Sequence, residues 1–227
     1  MHYVISDIHG CYAQFTELLE LIHFKDTDTL YVLGDIVDRG PHPIKVLSAL
    51  MEMPNVVCIV GNHELMALDG LRFLNTQITN ESIESMDKET IGNLFNWIRN
   101  GGQTTINEFK SLPPVNRQEI IDFIMDFSVY EELAVNGQKY LLVHAGLGDY
   151  NPEKSIEDYS LQNLVWDRND YNGRLDCPSA LRHIAKGHYV HERVFFSDEA
   201  TAIAAGYRPC AVCMKKEYQI WKQKQGY

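Results

Sequence analysis

Three times within its first 64 residues the chain repeats one pattern: a short apolar run, a polar cluster, then a segment of helical periodicity. Tyr3-Val4-Ile5 leads into Ser6-Asp7-Ile8-His9-Gly10, and Phe15, Leu18, Leu19 and Ile22 follow at i, i+3, i+4 and i+7. Thr29–Leu33 leads into Gly34-Asp35-Ile36-Val37-Asp38-Arg39-Gly40. After Pro41, Ile44, Leu47 and Met51 share a stripe with Val46 and Leu50 beside it. Val56–Val60 leads into Gly61-Asn62-His63-Glu64. Short apolar runs that alternate with helices predict buried parallel strands, and such a sheet gathers whatever lies at its strands' carboxyl ends along one rim. The predicted class is α/β (α+β), with three polar clusters on that rim.

From about residue 65 to 130 the character changes. Leu65, Leu68 and Leu71, then Ile91, Leu94, Phe95 and Ile98, then Ile120, Ile121, Ile124 and Phe127 all have helical spacing. Asn100-Gly101-Gly102 and Pro113-Pro114 interrupt the run. This reads as a helical insertion within a single domain, residues 1–227. Two strand patterns, Glu131–Val135 and Lys139–Val143, then flank Asn136-Gly137, a hairpin signal. The second of them delivers His144-Ala145-Gly146. Later come Trp166-Asp167-Arg168 and Ile184-Ala185-Lys186, the latter leading into Gly187-His188. Short strand-like pieces run from Val194 onward.

The formal net charge of −11 repels nucleic acid and anionic membrane in bulk. It does not exclude an anionic substrate, because bound divalent cations reverse the sign locally. No apolar run is long enough to cross a bilayer, and the first residues lack the pattern of a signal peptide. Five scattered cysteines do not make a disulfide framework, which points to a reducing cytoplasm.

Asp35, Asp38 and Arg39 crowd the end of a buried strand, where charges cost solvation unless compensated. A metal cation or an anionic ligand would compensate them; so would a turn with an internal Asp–Arg pair. Five predicted strands end in Asp7/His9, Asp35, Asn62/His63, His144 and His188. One histidine after an apolar strand is more often a satisfied core residue. Together these oxygen and imidazole donors suit Mn, Fe, Zn or Ni better than Mg or Ca.

Asp7-Ile8-His9-Gly10, Gly34–Gly40, Gly61–Glu64, His144-Ala145-Gly146 and Gly187-His188 resemble the motif series of the calcineurin-like metallophosphoesterases. Within these the set is similar to the phosphoprotein phosphatases, the PPP-type serine/threonine phosphatases, especially their short bacterial and bacteriophage members. The resemblance implies a β-sandwich flanked by helices, with two divalent transition-metal ions, Mn2+ first among them, at one rim. Asp7, His9 and Asp35 would hold one ion. A shared Asp35 with Asn62, His144 and His188 would hold the other. His63 would be the general acid and Asp38 its partner. Arg39, Arg168 and Asn62 would contact the phosphoryl oxygens. The implied mechanism is direct attack by metal-bound hydroxide on a phosphate monoester, without a phosphoenzyme.

Several positions depart from that pattern. Ser6 stands where glycine is usual, and Tyr189-Val190 follow His188 where threonine is usual. His191 is a rival ligand, and no closing Asp-Thr-Gly strand follows Val194. Arg168 also reads as half of a surface salt bridge. Cys210-Ala211-Val212-Cys213 is a single pair, which with Cys177 falls short of a zinc ribbon and reads better as buried apolar side chains. The acidic stretch Asn80–Glu89 reads as a solvated face. The substrate expected is a phosphorylated protein, at phosphoserine, phosphothreonine or also phosphotyrosine, or else a small phosphoester. The alternative is a symmetrical dinucleoside-tetraphosphate hydrolase, which commonly carries Ala before the arginine and Asp after the histidine, against Val37-Asp38-Arg39 and Glu64 here. A non-catalytic phosphate-binding module is a third reading.

Overall fold

The computed structural model describes residues 1–76, 88–148, 150–151 and 153–167, and the backbone of Val194–Phe195. Strands β1 (His2–Ile5), β2 (Thr29–Leu33) and β3 (Val56–Ile59) lie parallel in the order β3-β2-β1. A short β6 (Val194–Phe195) closes the far edge antiparallel to β1. Helices α1 (Tyr12–Leu21) and α2 (Pro43–Met51) are the crossovers. Pro43 sits at the start of α2, where its missing N–H costs nothing.

Strand alternation divides the core. Tyr3, Ile5, Leu30, Val32, Val56 and Cys58 face the helices, in one cluster with Phe15, Ile44, Leu47 and Leu50. Val4, Tyr31, Leu33 and Ile59 face the other way. There they meet Leu133, Tyr140 and Leu142 of a second sheet. That sheet is the antiparallel pair β4 (Tyr130–Val135) and β5 (Gln138–Val143). Asn136 and Gly137, both with positive φ, make its turn. Two sheets thus pack face to face, with helices on one outer side. Each fully buried Leu, Ile or Val contributes roughly 1.5–3 kcal/mol to holding these layers together.

The predicted helical insertion is α3 (Asn62–Asn75), α4 (Lys88–Trp97), a π-turn at Ile98–Gly102, α5 (Gln103–Ser111) and α6 (Pro114–Met125). Its Trp97, Ile106, Phe109, Ile120, Ile121 and Ile124 lie in the same core cluster as Ile5, Leu30 and Val32. Two details differ from the sequence pattern. Ile91 and Phe95 are exposed, because Leu94 and Trp97 take the inward face of α4, followed by Ile98 in the π-turn. Met51 is exposed too, and the α2 stripe runs Ile44-Leu47-Leu50 with Val46. A final short helix, α7 (Leu161–Val165), packs Leu164 and Val165 under Val60 and Val143.

Among the described residues no helix is long and apolar enough to cross a membrane. Arg168, Cys177, His188, His191, Cys210 and Cys213 lie outside the described residues, as do 80–87 of the acidic stretch.

Candidate active site

The loops after β1 and β2 stay in register beyond the strands. The Asp7 amide donates to the Gly34 carbonyl at 3.1 Å, that of His9 to Asp35 at 2.8 Å, and that of Gly10 to Ile36 at 2.8 Å. Both loops then turn through left-handed backbone at non-glycine residues: Asp7 (φ 57°), His9 (45°), Asp35 (55°), Asp38 (71°) and Arg39 (64°). Gly34 (φ 74°) is where the third loop comes closest, since a Cβ there would lie 2.5 Å from the Gly61 backbone. Only glycine lets those two chains touch.

Asn62 and His63 stand on the first turn of α3, not at a strand end as the pattern suggested. The next residue, Glu64, is completely buried and ties the loops to this helix. Its Oε2 accepts from the Asp35 and Gly61 amides, both at 2.8 Å. Its Oε1 accepts from Ile36 at 2.8 Å and Val37 at 3.1 Å. Burial, then the Asp35 charge, push the Glu64 carboxyl upward, while the Val37 amide, His144 and the Asp35 amide pull it back.

Three imidazoles are oriented by acceptors at Nδ1. His9 Nδ1 donates to the Val37 carbonyl at 2.9 Å, His144 Nδ1 to the Leu33 carbonyl at 2.6 Å, and His63 Nδ1 to Asp38 Oδ2 at 2.6 Å. In each ring Nε2 is therefore left to face the site. Burial holds the His9 imidazole below its ordinary range, although the Val37 carbonyl and Asp35 oppose the shift. His9 thus presents a neutral lone pair.

Asp35 lies between two of these rings. Its Oδ2 is 3.6 Å from His9 Nε2 and its Oδ1 is 3.4 Å from His144 Nε2. His144 Nε2 is also 3.1 Å from Asn62 Oδ1. Lone pairs on His144, Asn62 and Asp35 thus converge, an arrangement that only a proton or a cation between them makes favourable. Ligand atoms of His9, Asp35 and His63 likewise lie within 4.8 Å of one another. Asp35, Asp38 and Glu64 are buried carboxylates, and the Arg39 guanidinium reaches the imidazoles of His9 and His63. The donor set fits divalent cations, with imidazole and carboxylate ligands and backbone carbonyls fixing the rings from behind.

Asp38 is closed to solvent. Besides His63, it accepts from Trp97 Nε1 at 3.0 and 2.9 Å and from Thr105 Oγ1 at 2.6 Å. Next to it, Arg39 donates from Nη1 to His9 Nε2 at 2.5 Å and from Nη2 to His63 Nε2 at 2.7 Å. The guanidinium thus bridges the cluster and the imidazole that Asp38 holds. A planar cation in that place suits a tetrahedral oxyanion.

His9, Asp35, Asp38, Arg39, Asn62, His63 and His144 are linked side chain to side chain at this rim, while Asp7 reaches it through its backbone and its carboxylate accepts from the Ser6 hydroxyl. His188 and Arg168 are the predicted site residues that fall outside the described region. Sequence reasoning missed Trp97 and Thr105; a tryptophan just ahead of an Asn-Gly-Gly break in a helical run was the available signal. It also missed Glu64 as the tether between the loops after β2 and β3.

A family model described as calcineurin-like phosphoesterase matches residues 3–214. Serine/threonine-protein phosphatase 2 of Salmonella typhimurium is 31% identical over 179 residues, covering 76% of this chain and 70% of the relative. The symmetrical bis(5'-nucleosyl)-tetraphosphatase of Nitrosomonas europaea is 32% identical over 157 residues, covering 68% of this chain and 47% of the relative. The one from Wigglesworthia glossinidia brevipalpis is 42% identical over 66 residues, 28% of this chain and 24% of the relative. The chain thus spans less than half the length of these two hydrolases.

Proposed function

This chain belongs to the calcineurin-like phosphoesterase family, and from that premise we propose that it is a metal-dependent phosphomonoesterase acting on phosphoserine and phosphothreonine, and also on phosphotyrosine, in the cytoplasm. Asp7, His9 and Asp35 would hold one divalent transition-metal ion, Mn2+ by preference. Asp35, Asn62, His144 and His188 would hold a second. Such ions, when bound, supply Lewis-acid charge at the phosphoryl group and lower the pKa of water.

The remaining work falls to the chain's own side chains. Arg39, with Asn62 and Arg168, grips the phosphoryl oxygens; a guanidinium matches two of them at once. His63 Nε2 accepts from Arg39 in this structure; with the guanidinium turned to the phosphoryl oxygens, Nε2 would take up the proton that it passes to the leaving oxygen, and Asp38 would stabilise the imidazolium. The observation that carries this reading is the buried His63–Asp38 pair, whose outward Nε2 stands 2.7 Å from Arg39. A proton donor beside an oxyanion grip is what expulsion of an alkoxide from phosphorus requires.

The protein-phosphatase branch is supported by the similarity to the Salmonella phosphatase and by Glu64 after His63. The similarity to symmetrical tetraphosphatases favours a second reading, hydrolysis of a dinucleoside tetraphosphate. The test loads the protein with Mn2+ and compares phosphoserine and phosphothreonine peptides with diadenosine tetraphosphate. Phosphate release with the higher kcat/KM on peptides is expected. Far more efficient cleavage of the dinucleotide would overturn the branch. Phosphate binding without turnover of either would replace both readings with a binding module.

A further inference from the structure

We propose that Trp97 is a positioning residue for His63, acting through Asp38, with Thr105 as its partner; the inference rests on the hydrolase reading above. Asp38 has no exposure, so each lone pair that lacks a donor carries the full cost of desolvation. Its carboxylate has three side-chain donors. Trp97 Nε1 spans both oxygens, Thr105 holds Oδ1, and His63 takes Oδ2. The Thr105 hydroxyl also accepts the Asp38 amide at 3.0 Å. Side chain and backbone of Asp38 are therefore both fixed from the helical segment.

Core packing alone does not account for this tryptophan. Phenylalanine would fill much of the same slot, which Gly70 and Gly102 open on either side of the indole. What phenylalanine lacks is the N–H, a donor that cannot accept. That N–H is aimed at a carboxylate. Three residues on from Ile98, the Gly101 carbonyl accepts the Arg39 amide at 3.1 Å. The stretch from Trp97 to Thr105 thus sets both halves of the oxyanion-and-acid pair. Without the indole donor, the Asp38 carboxylate can rotate about Cβ–Cγ, and the His63 ring follows it. Nε2 would then leave the line to the departing oxygen.

The test uses Trp97→Phe, Thr105→Val and Thr105→Ser in the full chain. The first readout is kcat on a phosphoserine peptide, whose leaving alkoxide needs a proton, against 4-nitrophenyl phosphate, whose leaving group does not. Loss of a hydrogen-bond partner that orients a metal-ligating imidazole typically costs about 10- to 100-fold, and Asp38 orients the His63 ring in the same way. We expect about a tenfold loss on the peptide for Trp97→Phe and Thr105→Val, little loss on the aryl ester, and unchanged metal content. Thr105→Ser keeps the hydroxyl and should keep the wild-type ratio. The second readout is the His63 Nδ1 proton resonance in metal-free protein, assigned by its absence in His63→Asn, which should shift in both donor-deleting variants. Equal losses on both esters overturn the proposal, and so does an unmoved resonance. Failure of the wild type to hydrolyse any monoester would sink the phosphomonoesterase reading separately, and the resonance would then decide the positioning role. If Trp97→Phe does not fold, Thr105→Val decides by the same two readouts.

Discussion

Asp38 Oδ2 and His63 Nδ1 lie 2.6 Å apart with both side chains buried, and this contact determines which ring nitrogen faces the site. A carboxylate can only accept, so Nδ1 carries the hydrogen and Nε2 is left to exchange a proton with a ligand. His63→Asn removes that exchange and keeps a polar side chain of similar reach. It should lower kcat on alkyl phosphates by about 10²–10⁴ while leaving metal content nearly intact. Aryl esters with good leaving groups should lose much less, and equal losses would make the ring a mere spacer.

Asp35 presents one oxygen toward His9 and the other toward His144. Asp35→Asn should therefore cost the protein both ions, whereas Asn62→Ala should cost one. Elemental analysis after loading with Mn2+ checks this directly. One ion retained in Asp35→Asn would show that the carboxylate does not bridge.

Glu64→Gln replaces an acceptor oxygen with an NH2 group that faces backbone N–H donors. The wild-type oxygens each take two amides from the surrounding loops and helix start. Loss of stability of about 2–4 kcal/mol is expected, from stranded buried donors. Urea unfolding of metal-free protein measures it. A loss below about 1 kcal/mol would mean that the loops hold their shape without the tether.

Burial, and then the Glu64 charge, push the Cys58 thiol far upward. The unfolded chain releases this proton near pH 8.5, while the native state keeps it. The contribution is fully present below that pH and falls as pH rises above it, by up to about 1.4 kcal/mol per pH unit. Cys58→Ala should lack this part of the alkaline loss, seen as a shallower fall of unfolding free energy between pH 8.5 and 10. Iodoacetamide should label Cys58 only after denaturation.

What local pattern encodes was legible. The apolar runs Tyr3–Ile5, Thr29–Leu33 and Val56–Val60 mark the three parallel strands, and strand geometry then sends Leu30 and Val32 to the helices and Tyr31 and Leu33 to the second sheet. The rim clusters follow because each strand hands its next residues to the same edge. Contacts across long separations were not legible. Trp97 and Thr105 reach Asp38 from 59 and 67 residues away, and Glu64 reaches Asp35 from 29. No periodicity announces that an indole inside an apolar helical run will turn its one polar atom to a carboxylate. The helix pattern also overcounted the apolar face of α4, since Ile91 and Phe95 match the spacing and yet stay exposed.

Asp7, His9, Asp35, Asp38 and Arg39 all occupy left-handed backbone. An L-residue gives up about 1–2 kcal/mol in such a conformation, and glycine gives up almost none. A library screened for heat resistance alone would consequently accumulate glycine and asparagine at Asp7 and Arg39, the members of this set that are not buried, and would return durable protein that has lost groups the site needs. At this rim durability and turnover select opposite residues, so thermostable variants are better sought on the helical faces away from it.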